Sequence, residues 1–180
     1  MKEIKRERIS SGYFKIDKIT YRNKNGKEFP LELMERGQAV CGMLYNSDND
    51  KYVFTRQFRP GANNYIIECI AGMKDKHEEP EDTFCREVTE ETGYVVTSCT
   101  EIMCGYASPG GTTEKIHVFN GITNGHRIGT GGGLEEENED IEVLEFSRAE
   151  IMDNINLFSQ DLKTYIGVTH VLNSLLATKD

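Results

Sequence analysis

A layered α/β sandwich built on a mixed sheet is the fold class this sequence predicts. Short β-rich runs punctuated by turn signals make up most of the chain. Only a few stretches carry helical spacing, and they interrupt the strands instead of alternating with them regularly. With 180 residues, 37% of them hydrophobic, the chain can bury one sizeable core.

The elements follow in order. Tyr13 to Tyr21 and Lys27 to Glu35 flank Asn23-Lys24-Asn25-Gly26, a turn rich in residues that tolerate positive φ, and so read as a hairpin. Ala39 to Tyr45 and Lys51 to Phe58 form a second hairpin around Asn46-Ser47-Asp48-Asn49-Asp50. Tyr65 to Ala71 reads as one strand. A helix begins at Glu79-Pro80-Glu81-Asp82, where proline suits the first turn and carboxylates complement the positive dipole end. Thr92-Gly93 stops it, because glycine adopts the left-handed C′ conformation cheaply. Strands are expected near Val95 to Tyr106, Ile116 to Ile122 and Ile141 to Phe146, then helices at Arg148 to Asn154 and about Gln160 to Ala177. In the last helix Leu162, Tyr165, Ile166, Thr169, Leu172 and Leu176 make a helical stripe. The hairpin in residues 1–37 reads as an extension of a body spanning 38–180, with no internal repeat.

Composition narrows the function classes. A net charge of −9 argues against nucleic acid and acidic membrane surfaces as partners. No run of about 18 apolar residues is present to span a bilayer. The start, Met-Lys-Glu-Ile-Lys-Arg-Glu-Arg, lacks the apolar core of a signal peptide. Cys41, Cys69, Cys85, Cys99 and Cys104 are odd in number and lack metal spacing, so reduced core thiols in a cytoplasmic protein are expected. The four histidines are scattered, and none is assigned a catalytic role.

The chemistry concentrates between Gly72 and Tyr94. Phe84 and Val88, four apart, give the helix an apolar stripe. Glu87 and Glu91, also four apart, share a second face with Glu90 on its shoulder. Like charges at that spacing destabilise an isolated helix by a few tenths of a kcal/mol. A divalent cation offsets the repulsion. Oxygen-only donors favour Mg²⁺, with Mn²⁺ as the alternative, over zinc. A solvated acidic helix face is the other meaning of such a run.

Gly72, Glu78, Arg86, Glu87, Val88, Glu90, Glu91 and Gly93 resemble the Nudix box, G-x5-E-x7-R-E-U-x-E-E-x-G-U, where U is bulky and aliphatic. Tyr94 in the final aliphatic slot is the one departure, read as a position that packs rather than reacts. The resemblance implies the Nudix α/β/α sandwich and a metal-dependent hydrolase of nucleoside diphosphates linked to another moiety.

Further segments resemble the branch of ADP-ribose pyrophosphatases and GDP-mannose hydrolases: Thr55-Arg56-Gln57-Phe58-Arg59, Ile67-Glu68-Cys69-Ile70-Ala71-Gly72, and Tyr106 to Glu114 with Pro109-Gly110-Gly111. Gly131-Gly132-Gly133 followed by Leu134-Glu135-Glu136-Glu137-Asn138-Glu139-Asp140 resembles its catalytic loop. Composition alone leaves that segment either a lid closing on metal or a solvated tip.

By position the resemblance implies metal ligation by the Ala71 carbonyl, Glu87, Glu91 and Glu139. It assigns catalysis to Glu137 as base, with Glu90 as an added ligand or holder of water and Arg86 orienting carboxylates. Arg36, Arg59, Glu68, Pro109 and Gly111 become substrate contacts, with Arg36 supplied from the partner of a homodimer that exchanges N-terminal hairpins. The implied reaction is hydrolysis of a nucleotide sugar, ADP-ribose or GDP-mannose, to a nucleoside monophosphate and a sugar phosphate. The choice of sugar stays open. Dinucleoside polyphosphates, nucleoside triphosphates, and a sensor that binds without cleaving are the competing readings.

Overall fold

A computed structural model describes residues 1–133 and 140–174. Among the described residues there are ten strands: β1 (Lys2–Ser11), β2 (Lys15–Arg22), β3 (Glu28–Glu35), β4 (Gln38–Asn46), β5 (Lys51–Arg59), β6 (Asn64–Glu68), β7 (Ile70–Met73), β8 (Ser98–Tyr106), β9 (Lys115–Thr123) and β10 (Glu142–Ser147). The described residues also form the α-helices α1 (Pro80–Thr92), α2 (Arg148–Asp153) and α3 (Leu162–Ser174). A short 3₁₀ turn occupies Ile155–Leu157. The chain forms two compact units, one of Met1–Ala39 with Cys104–Ile116, the other of Val40–Met103 with His117–Asp180.

The first unit carries an antiparallel sheet ordered β1-β2-β3. The β2–β3 hairpin is the expected one, and β1 was not foreseen. Its sequence, KEIKRERISS, lacks the apolar alternation that marks a half-buried strand. Charge holds it instead. Arg6 pairs with Asp17 at 3.1 Å and Glu35 at 2.7 Å, and Arg8 also binds Asp17. The two guanidiniums, Arg8 foremost, keep the Asp17 carboxyl below the usual carboxylate range.

In the second unit the sheet runs β10-β5-β4-β9-β8, with β6 on β5 and β7 on β4. The single strand expected over Tyr65 to Ala71 is thus two, broken at Cys69 and paired to different neighbours. Successive residues of β4 separate the layers, because side chains alternate across a strand. Gly42 leaves room for the Phe84 ring of α1, where a Cβ would lie 2.7 Å from it. Met43, the next residue, meets Gly167 of α3. Helices α1 and α3 therefore cover opposite faces, the α/β/α arrangement expected.

Val40, Leu44, Val53, Ile70, Phe84, Val88, Tyr94 and Phe119 form the core under α1. Phe84 stacks on Phe119 with centroids 5.2 Å apart. Phe54, Phe146 and Phe158 close the opposite side. Helix α2 opens with a full capping box between Ser147 and Glu150.

Helix α3 corrects the sequence expectation. Thr164, Gly167, Val168 and Val171 face inward, while Leu162 is 75% exposed and Tyr165 and Ile166 are also exposed. Small residues won the inner face because Met43 occupies the space a larger side chain needs, and because the Thr164 hydroxyl accepts the Cys69 N–H at 2.8 Å. The thiols differ from expectation too. Cys41 and Cys69 are buried, Cys85 and Cys99 half-buried, and Cys104 exposed.

Candidate active site

The box helix sits where its sequence signals put it. Pro80 occupies the first turn after Glu79, and Gly93 takes the left-handed conformation at φ 75° with its N–H on Thr89. Phe84 and Val88 are fully buried, which fixes the rotation of α1 and turns Glu87, Glu90 and Glu91 to one side.

Arg86 organises that acidic face. Its guanidinium grips Glu78 through Nε at 3.1 Å and Nη2 at 3.2 Å, and Nη2 also donates to the Met73 carbonyl at 3.2 Å. Nη1 reaches Glu90 at 2.7 Å and Glu87 at 2.9 Å. The Thr83 hydroxyl donates to Glu78 at 2.8 Å, locking the far end of the fork. The Arg86 bond lowers the Glu78 carboxyl below its ordinary range, and Glu78 in turn raises Arg86 further.

Glu91 is 2% exposed, unusual for a carboxylate. Glu87 lies against β7, and a Cβ added at Gly72 would come within 1.9 Å of its carboxyl carbon. The box glycine is thus a notch in the strand that admits a carboxylate beside Ala71. Glu87 and Glu90 share one guanidinium with Glu78, and Glu91 is buried on the same helix, leaving a negative excess in a partly desolvated cradle. This donor set, all oxygen, fits a hard divalent cation.

The other sequence candidates divide between the two units. Arg59 binds Glu68 at 2.5 Å, and the Glu68 side chain is only 4% exposed. In the first unit Arg36 points both Nε and Nη2 at Glu114 at 3.3 Å, and its N–H donates to the Thr113 hydroxyl at 2.8 Å. Its guanidinium lies 5.9 Å from the Phe14 ring. Pro109 and Gly111 lie in a turn where Gly111 donates to the Ser108 carbonyl and accepts from the Met34 N–H. Glu137 and Glu139 lie outside the described residues.

Two groups were not legible beforehand. Lys163 sits 2.6 Å from Asp161 and 3.6 Å from Glu68, joining α3 to the Arg59–Glu68 pair. Burial raises the Asp161 carboxyl, but Lys163 and Thr164 outweigh it and leave the group below its usual range. The Asp161-Leu162-Lys163-Thr164 spacing signals a helix cap, yet nothing in it announces that the lysine is half-buried against Glu68. Tyr94 is the second. It packs as expected, but its hydroxyl also donates to Glu145 and accepts from Asn46 at 3.5 Å.

Residues 35–164 match the NUDIX domain model, and the chain belongs to that family. It is 38% identical to a GDP-mannose pyrophosphatase of Salmonella arizonae, an alignment covering 94% of this chain and 96% of that protein. A GDP-mannose pyrophosphatase of Cronobacter sakazakii is 34% identical, with 93% of each chain covered. A solved structure described as an ADP compounds hydrolase superposes with a TM-score of 0.84, covering 99% of this chain and 95% of that one. At 18% identity that likeness speaks for the fold.

Proposed function

We propose that this protein hydrolyses the pyrophosphate bond of nucleoside diphosphate sugars, with GDP-mannose as the leading substrate and ADP-ribose as a second. The observation that carries the proposal is the box-helix cradle: Glu87 seated in the Gly72 notch, Glu91 buried beside it, and Arg86 spanning Glu78, Glu87 and Glu90. The names borne by the full-length relatives support the choice of sugar.

Ala71 through its carbonyl, Glu87, Glu91 and Glu139 would hold Mg²⁺, or Mn²⁺ in its place. When bound, the cation neutralises charge on the pyrophosphate and makes water more acidic. Arg86 keeps Glu87 and Glu90 oriented by charge-assisted bonds and is itself held by Glu78. Glu137 takes the proton of the attacking water. Arg59, aimed by Glu68, meets the nucleotide or its phosphates, and Arg36, Pro109 and Gly111 complete substrate contact. The active species is a cytoplasmic homodimer in which the 1–37 hairpins are exchanged and Arg36 crosses to the partner's site. Nucleic acid and membrane play no part in the reaction.

Chromatographic product analysis tests the proposal. Protein with Mg²⁺ is incubated with GDP-mannose, ADP-ribose, a dinucleoside polyphosphate and a nucleoside triphosphate. GMP with mannose 1-phosphate supports the leading reading. Inorganic pyrophosphate from the triphosphate alone points to a different Nudix substrate. Tight binding without cleavage under Mg²⁺ or Mn²⁺ makes the protein a sensor.

A further inference from the structure

Helix α1 ends in an unusual way. A helix leaves its last four carbonyls without intrahelical partners, and α1 carries no basic residue in its final turn to offset its negative end. The Gly93 N–H donates to the Thr89 carbonyl, and one remote segment serves the other three and that of Gly93. The Glu90 carbonyl accepts the Gly133 N–H at 3.2 Å, Glu91 accepts Gly132 at 2.8 Å, and Gly93 accepts Ile128 at 2.9 Å. Between them the Thr92 carbonyl accepts Arg127 Nη2 at 2.6 Å.

The contact leaves no space for side chains. A Cβ on Gly93 would lie 2.3 Å from the Gly129 carbonyl oxygen, and one on Gly131 would lie 2.5 Å from that of Glu91. Both glycines hold positive φ, 75° and 70°. Backbone meets backbone directly, so a shift of the segment moves Glu91 with it.

Arg127 holds the clasp closed. The same Nη2 that binds Thr92 donates to the Thr130 carbonyl at 2.8 Å, so one cation bridges helix and loop. Its guanidinium rests over the Tyr94 ring, 4.6 Å from the centroid, and Tyr94 is pinned by Glu145 and Asn46. A backbone bridge between Tyr94 and Arg127, with the Val95 N–H on His126, sets the register. Tyrosine in the box's last slot thereby has a task that an aliphatic residue does not perform: it gives the guanidinium a π face to lie on.

We infer that Arg127 is a positioning residue for the acidic cradle, fixing the final turn of α1, and with it Glu90 and Glu91, through the Thr92 and Thr130 carbonyls. The inference rests on the proposal that this cradle holds a divalent cation. It reaches the cation only through the helix backbone, so it is tested without turnover.

The experiment is calorimetric titration of the full chain and its Arg127→Met and Arg127→Lys variants with Mn²⁺ alone, beside thermal unfolding and GDP-mannose kinetics. Supporting residues around metal sites typically contribute 10–100-fold in affinity or activity. Arg127→Met is expected to weaken Mn²⁺ binding about tenfold and lower kcat about tenfold, with KM within about twofold. Arg127→Lys, one point charge able to serve one carbonyl, should recover part of both losses. Native Mn²⁺ affinity in a folded Arg127→Met protein overturns the inference. Should that variant not fold, Arg127→Gln is judged by the same criterion, and native affinity there overturns it equally. A parent protein that binds Mn²⁺ but cleaves no nucleotide sugar defeats the functional proposal while the affinity comparison still decides Arg127. A parent that binds no Mn²⁺ defeats both.

Discussion

Gly72→Ala separates folding from catalysis more cleanly than removal of any carboxylate. The added Cβ would lie 1.9 Å from the Glu87 carboxyl carbon and one oxygen, and 2.3 Å from the other. The atoms it meets are the end of a flexible side chain, and φ at Gly72 is not in the left-handed region, so the backbone accepts alanine without strain. Stability should change by less than about 1 kcal/mol. The carboxylate must instead retreat to ordinary contact at 3.4 Å or more, a displacement of about 1.5 Å. Misplacing a reacting or binding group by about 1 Å costs on the order of 10²-fold, so kcat should fall at least that far, about 2.7 kcal/mol of barrier. The assay is GMP release from GDP-mannose under saturating Mg²⁺, with the thermal transition recorded in parallel. Activity within threefold of the parent, in a protein of unchanged Tm, would refute the notch as the seat of a functional carboxylate.

Other consequences are open to direct measurement. Glu91→Gln should lower turnover by ~10³-fold or more, about 4 kcal/mol of barrier, and weaken Mn²⁺ binding in calorimetry; near-native turnover contradicts the cradle. Glu137→Gln should reduce kcat and leave substrate affinity intact, and a rise in KM alone would make Glu137 a binding residue. The Glu78–Arg86 fork predicts a pH signature. Because the folded carboxyl lies below its unfolded value, its stabilisation is complete above about pH 4.3 and fades as pH falls through the lowered value. The Tm gap between parent and Glu78→Gln should therefore be widest near neutrality and narrow in acid; a gap independent of pH counts against the ion pair.

Much of the candidate site was legible because it is local. Pro80 and Gly93 mark helix ends through backbone chemistry that needs no tertiary partner, and the four-residue spacings set Phe84 and Val88 on one face and Glu87 and Glu91 on another. The hairpins around Asn23–Gly26 and Asn46–Asp50 were legible for the same reason. Strand β1 was not, since its pairing depends on Arg6 and Arg8 finding Asp17, charges that in sequence resemble a solvated run.

The sequence by itself determined the acidic helix, its limits, and the family to which its spacing belongs, because helix geometry turns sequence intervals into shared faces. Tertiary structure alone decided which face of α3 is buried, since the deciding atoms are Met43 and the Cys69 N–H, more than 90 residues away in the chain. It also decided that Gly72 admits Glu87 and that Arg127 closes the end of α1. Both depend on a side chain reaching backbone within hydrogen-bond or contact distance, a meeting that only the folded chain brings about.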